Sequence, residues 1–152
     1  MTENKYSIEQ ILEINGQYLG PTGGVSMLPM LKEGRDTIVV LPKKERLKRL
    51  DVALYKVDGK YVLHRVIQPI DGGYIIRGDN CYSDEKIPEE AVFGVLSEFF
   101  QRDKHFLVSD KKYIKYAEKR VKSYPRRKFF HKIIRKCKNA VKKVLRVFGI
   151  KR

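Results

Sequence analysis

The sequence predicts a small, mainly β domain of antiparallel strands, preceded by a helix and followed by a basic amphipathic helical tail. Three observations carry that prediction. Short runs rich in β-branched and aromatic residues follow one another between residues 37 and 100, with no long helical pattern among them. Turn-forming breaks, above all Asp58-Gly59 and Gly72-Gly73, fall between those runs. Charge then divides the chain: residues 111–152 hold 18 of the 33 Lys and Arg against one acid, Glu118, a net of +17, whereas residues 1–110 carry −2. The positive excess belongs entirely to the tail, so two regions with different tasks are expected. The boundaries follow as 1–19 for the first helix and loop, 20–109 for the β domain and 110–152 for the tail.

Taken in order, Ser7-Ile8-Glu9-Gln10 has the form of a capping box, and Ile8, Ile11, Leu12 and Tyr18 make an apolar stripe. A short helix from Ser7 to Asn15 is predicted, stopped by Asn15-Gly16. Gly20-Pro21-Thr22-Gly23-Gly24 reads as a loop. A brief helical turn after Ser26 precedes the strand Thr37 to Leu41, and Pro42 to Arg49 is a basic connector. Asp51 to Val57 and Lys60 to Ile67 form a hairpin about Asp58-Gly59; Tyr74 to Arg77 and Ala91 to Phe100 are further strands. Lys111 to Ser123 is a basic helix ended by Tyr124-Pro125. Beyond it, Phe129, Phe130, Ile133, Ile134, Cys137, Ala140, Val141, Val144, Leu145 and Phe148 recur at steps of three and four, with basic residues on the other side.

Several function classes drop out. Cys81 and Cys137 stand alone, without metal or redox spacing, and read as small semi-buried side chains in a reducing setting. No metal site or phosphate-cradling loop is evident, so no cofactor is expected. The N-terminus is polar with no apolar core of a secretory signal, and no run nears the roughly 18 apolar residues of a membrane span. The expected location is cytoplasmic, with peripheral attachment to the inner face of the membrane through the tail.

The chemistry centres on Ser26, which lies between glycines and the apolar turn Met27-Leu28-Pro29-Met30-Leu31, where a core would not place a hydroxyl. Alternation along the hairpin's second strand puts Val62, His64 and Val66 on one face and Leu63, Arg65 and Ile67 on the other. His64, flanked by apolar neighbours, is expected to be neutral, the form a general base needs. Alone, it would more often be a hydrogen-bonded core histidine, and Ser26 alone would more often be a helix cap. Asp79-Asn80 ends another strand-like run, and alone would be a turn. Together, a serine, a histidine and an acid have the composition of an activated nucleophile.

The ordered boxes Ser26-Met27-Leu28-Pro29, Asp51-Val52-Ala53-Leu54-Tyr55, His64-Arg65-Val66 and Gly78-Asp79-Asn80 resemble those of type I signal peptidases and LexA-type peptidases, over residues 20–98. That resemblance implies a partly open barrel or coiled β-sheet, with Ser26 as nucleophile and His64 as general base. Most bacterial members use a Ser–Lys dyad; His64 stands at the base position as in the signal peptidases of archaea and the endoplasmic reticulum. The third member is left among Asp79, Asp84 and Glu85, with Asp79 as site organiser and Asp84 or Glu85 as the residue orienting His64. Signal peptidases often carry serine two places before the nucleophile, where this chain has Gly24; backbone N–H groups of Ser26 and Met27 are left to hold the oxyanion. The implied activity is a serine endopeptidase acting on a precursor or leader peptide. The alternatives are a non-catalytic peptide-binding module of the same fold and a LexA-like self-cleaving regulator. The regulator is disfavoured, since no DNA-reading helix pair precedes the peptidase region and no Ala-Gly or Cys-Gly site is present.

The tail's basic residues Arg127, Lys128, Lys132, Arg135, Lys136, Lys142, Lys143 and Arg146 suit an anionic membrane surface, with the apolar stripe dipping into the lipid boundary. Packing of that stripe on the β domain ranks beside it. Nucleic acid ranks behind, because no recognition motif accompanies the charge.

Overall fold

The computed structural model describes residues 6–147, with side-chain surroundings through Val141. Helix α1 spans Ile8–Asn15. Its capping box is closed: the Ser7 hydroxyl accepts from the Gln10 N–H at 3.2 Å, and the Gln10 side chain accepts from the Ser7 N–H at 2.8 Å. Gly16, at φ +69°, ends the helix in the left-handed conformation. Leu12 is buried, and Ile8 and Ile11 pack beside it.

Eight strands follow among the described residues: β1 Tyr18–Pro21, β2 Asp36–Pro42, β3 Val52–Val57, β4 Lys60–Ile70, β5 Gly73–Arg77, β6 Glu85–Pro88, β7 Val92–Gln101 and β8 Lys104–Leu107. All pair antiparallel in the order β1-β2-β7-β3-β4-β5-β6. On one edge β7 meets β2, and on the other it meets first β3 and then β8. Bulges between Val39 and Val40, between Leu54 and Tyr55, and between Val66 and Gln68 bend the ladder. The sheet curls into a half-barrel. Mainly antiparallel β structure with flanking helices, as the strand spacing predicts, is what the chain adopts.

Both faces of the sheet's centre are covered, which is why Val52, Ala53, Leu54 and Tyr55 of β3 are all buried. One core gathers Leu12, Met27, Leu31, Val40, Leu54 and Phe99; the other gathers Leu47, Tyr55, Val66, Tyr74 and Ile76. Helix α2, Lys111–Lys122, closes the first core with Tyr113 and Ala117. Helix α3 spans Tyr124–Val147, so Tyr124-Pro125 both stops α2 and opens the next helix. The tail is therefore not one body: α2 is part of the domain's core, while Phe129 to Val141 of α3 stand exposed.

Three strands go beyond the predicted set. Gly20-Pro21, expected in a loop, closes β1, an edge strand where proline is tolerated. β6 and β8 are four-residue strands carrying charge. Among the described residues, no helix is long and apolar enough to cross a membrane.

Candidate active site

Ser26 sits in the turn between β1 and β2, half-buried. Gly24 before it has φ +72°, a conformation that strains any other residue, and its N–H donates to the Glu33 carboxylate at 2.9 Å. A serine at that position would carry a backbone penalty, which accounts physically for glycine there. From the other side, Asn80 clamps the turn. Its backbone N–H donates to the Ser26 carbonyl at 2.7 Å, and its side-chain amide donates to the Val25 carbonyl at 3.2 Å. The Ser26 turn and the turn after β5 are thus fastened to each other.

His64 lies in the middle of β4, opposite Ala53, and is 5% exposed. Its Nδ1 is 3.0 Å from the Tyr55 hydroxyl, which donates to Glu85 Oε2 at 2.9 Å; Glu85 Oε1 lies 3.6 Å from the same Nδ1. The Tyr55 hydroxyl has one proton. Given to Glu85, it leaves the phenol oxygen to accept from Nδ1–H, the tautomer in which Nε2 carries the lone pair. Burial lowers the His64 pKa from its ordinary value, against the opposing pull of Glu85 and then Asp79, so the ring is neutral near pH 7. Burial and the Glu85 carboxylate push the Tyr55 pKa strongly upward, so Tyr55 remains a phenol.

Gly78 shows where Nε2 points. A Cβ built on Gly78 would come 3.0 Å from His64 Nε2, 2.7 Å from the Ser26 carbonyl oxygen and 2.7 Å from Cys81 Sγ. Only a residue without a side chain lets the histidine edge, the serine turn and Cys81 converge. An open groove of about 480 Å³ is bordered by Ser26, Val57, Tyr61, Leu63, His64 and Glu85. Among the described residues, no acceptor takes the N–H of Ser26 or of Met27. Those two groups stand at the turn that carries the hydroxyl.

The three candidate acids have different employments. Asp79, 3% exposed, accepts both Arg65 Nε and Nη2 at 2.8 Å and the Tyr116 hydroxyl at 3.0 Å. Its backbone carbonyl accepts from Arg120 at 2.9 Å and Arg127 at 3.0 Å. Asp84 pairs with Arg77 at 2.7 Å. Glu85 is the one of the three within reach of His64. Asp79 organises the turn beside the site without touching the imidazole.

Tyr55, Arg65 and Tyr116 join the site in the structure without a role predicted from the sequence. Tyr55 was within reach of inference: a two-residue turn at Asp58-Gly59 pairs Tyr55 with Val62 and Ala53 with His64, which puts Tyr55 and His64 diagonally adjacent on one face. Arg65 carries no such signal, because its burial depends on α2, 48 residues later, whose Tyr113 hydroxyl accepts from it at 2.9 Å. Of the basic tail residues, Arg127 is turned inward onto Asp79 and Arg120, and Lys128, Lys132, Arg135 and Lys136 are exposed. Lys142, Lys143 and Arg146 lie outside the described side chains. Among the described residues, no three His, Cys, Asp or Glu side chains gather as a metal site. No protein-family model matches the chain, and no curated protein matches it.

Proposed function

We propose that the chain is a serine endopeptidase, similar to signal peptidases of the Ser–His type, that cleaves a precursor or leader peptide. One observation supports this above the others: Ser26 and a neutral, buried His64 border the same open groove, and the Ser26 turn and His64 Nε2 meet about a glycine with no room for a side chain.

In this reading Ser26 Oγ attacks the scissile carbonyl as its proton passes to His64 Nε2. The carbonyl oxygen, now anionic, is met by the N–H groups of Ser26 and Met27. As the C–N bond breaks, the imidazolium returns its proton to the departing amine and an acyl-Ser26 ester remains. Water, deprotonated by the same Nε2, then releases the acid and restores the hydroxyl. Throughout, the imidazolium is stabilised through Tyr55 and Glu85, with the 3.6 Å approach of Glu85 to Nδ1 adding direct attraction. Asp79 and Arg65 are positioning residues: they hold the strand and turn between which the two reacting side chains lie.

A fluorophosphonate probe tests the assignment on the intact chain. Covalent modification confined to Ser26, lost in Ser26→Ala and slowed about a hundred- to ten-thousand-fold in His64→Gln, is the expected outcome. An unmodified Ser26 in the folded wild-type chain would leave a peptide-binding module instead, holding an extended segment without cutting it.

A further inference from the structure

We infer that α3 seats on an anionic lipid surface, an assignment independent of the peptidase reading. Phe129, Phe130, Ile133, Ile134 and Val141 are 61, 55, 41, 52 and 57% exposed and follow helical spacing, so a continuous apolar stripe faces away from the domain. Lys132, Arg135, Lys136 and Lys138 occupy the opposite arc of the same helix, all exposed. Meanwhile the base of the helix is held: the Tyr124 hydroxyl donates to the Tyr82 carbonyl at 2.9 Å, and the His131 ring stacks on Tyr82 at 3.9 Å.

The two faces together select the occupant. A nucleic acid would meet the basic arc and leave the aromatic and aliphatic stripe in water. A second copy of the chain would cover the stripe but bring together two tails of the same strong positive charge. A bilayer boundary containing anionic headgroups takes both faces at once: the stripe enters the acyl boundary while Lys and Arg remain at headgroup level. The hold at Tyr124 and His131 places the groove of the β domain at a set distance from that surface.

Sedimentation of the full chain with vesicles tests this. Phosphatidylcholine vesicles should leave the chain in solution; equimolar phosphatidylcholine and phosphatidylglycerol should carry it down, less so at high salt. Replacing Phe130, Ile133 and Ile134 by serine should weaken partitioning at least about tenfold, as should Lys132→Glu, Arg135→Glu and Lys136→Glu combined. All six side chains are exposed, so an unchanged thermal transition shows that the variants fold. Wild-type chain remaining in solution with anionic vesicles overturns the inference. So does vesicle binding undiminished by loss of the three apolar side chains, which would be charge alone. A dimer abolished by those same serine changes, in a chain that ignores vesicles, assigns the stripe to a second copy and overturns it equally.

Discussion

Asp79 is the side chain on which most of the site's supports converge, and its bonds explain what its loss would do. Arg65 is 0% exposed and its charge is answered by Asp79, with Tyr113, the Leu50 carbonyl and Met30 Sδ taking its remaining donors. Removing one member of such a pair strands the other in a low-dielectric interior. Asp79→Asn is therefore expected to cost about 3–5 kcal/mol, measured by denaturant unfolding. A loss of activity in that variant reports folding before it reports chemistry. Tyr55 and Glu85 call for a different measurement, because they act on the charge state of His64. The Glu85 carboxylate raises the pKa that burial lowers, so Glu85→Gln should move the acid limb of Ser26 labelling to lower pH while reducing the plateau. The imidazole is then easier to keep neutral but its cation is less stabilised. If the limb stays in place or moves to higher pH, the acid facing His64 has been misassigned. Linkage supplies a further sign. With the folded-state pKa depressed, the unfolded chain binds the His64 proton more readily, so stability declines as pH falls from about 6.5 through the folded value. Replacement of His64 by Gln should flatten that part of the stability–pH curve.

At the scale of elements, the site is a meeting of two turns and a hairpin, and Gly78 is where the fit is tightest. An alanine there would press its methyl into a backbone oxygen and the edge of His64, neither the far end of a flexible chain. Gly78→Ala is expected to destabilise the domain by about 1–3 kcal/mol and to separate Ser26 from His64, so labelling should fall even in the folded fraction. Labelling at the wild-type rate, in a variant of unchanged stability, would mean that the turns have slack. The same elements show what a sequence makes legible. β3 and β4 are long, β-branched and joined by Asp58-Gly59, whose φ values of +49° and +75° are those of a mirror-image turn, so their register and the face of His64 are readable in advance. β1, β6 and β8 escape because each is only four residues long and its partner, not its own pattern, makes it a strand: β6 completes β5 and β8 completes β7. Ser26 and His64 are both visible as residue types. That Glu85, and neither Asp79 nor Asp84, reaches the imidazole depends on which arginines claim the other two acids, and both arginines are buried in tertiary contacts.

For the whole molecule the informative division falls within the charged tail, not at its start. Charge alone places one boundary near residue 110, yet burial divides the tail between α2, which closes a core, and the exposed length of α3. The distinction is invisible to composition because both helices are basic and amphipathic; what differs is whether the sheet offers a surface to receive the apolar side. Arg65 and Asp79 make that surface receptive to α2 by taking Tyr113 and Tyr116, and Arg120 and Arg127 add bonds to the Asp79 carbonyl. Two truncations separate these roles. A chain ending at Lys132 keeps all of α2 and the His131 stack on Tyr82, and it loses only exposed positions among the described side chains. Its unfolding free energy should lie within about 0.5 kcal/mol of the full chain. A chain ending at Asp110 loses burial of the Tyr113 ring, worth about 2 kcal/mol. It also loses hydrogen bonds to Arg65 and Asp79, each worth about 1 kcal/mol or more when a charged group is left behind. Against the 5–15 kcal/mol that typically separates folded from unfolded domains, the sum is a large fraction, so a weak or absent thermal transition is expected. Equal stability of the two truncated chains would show that α2 is an appendage and that the buried pair beside Ser26 stands without it.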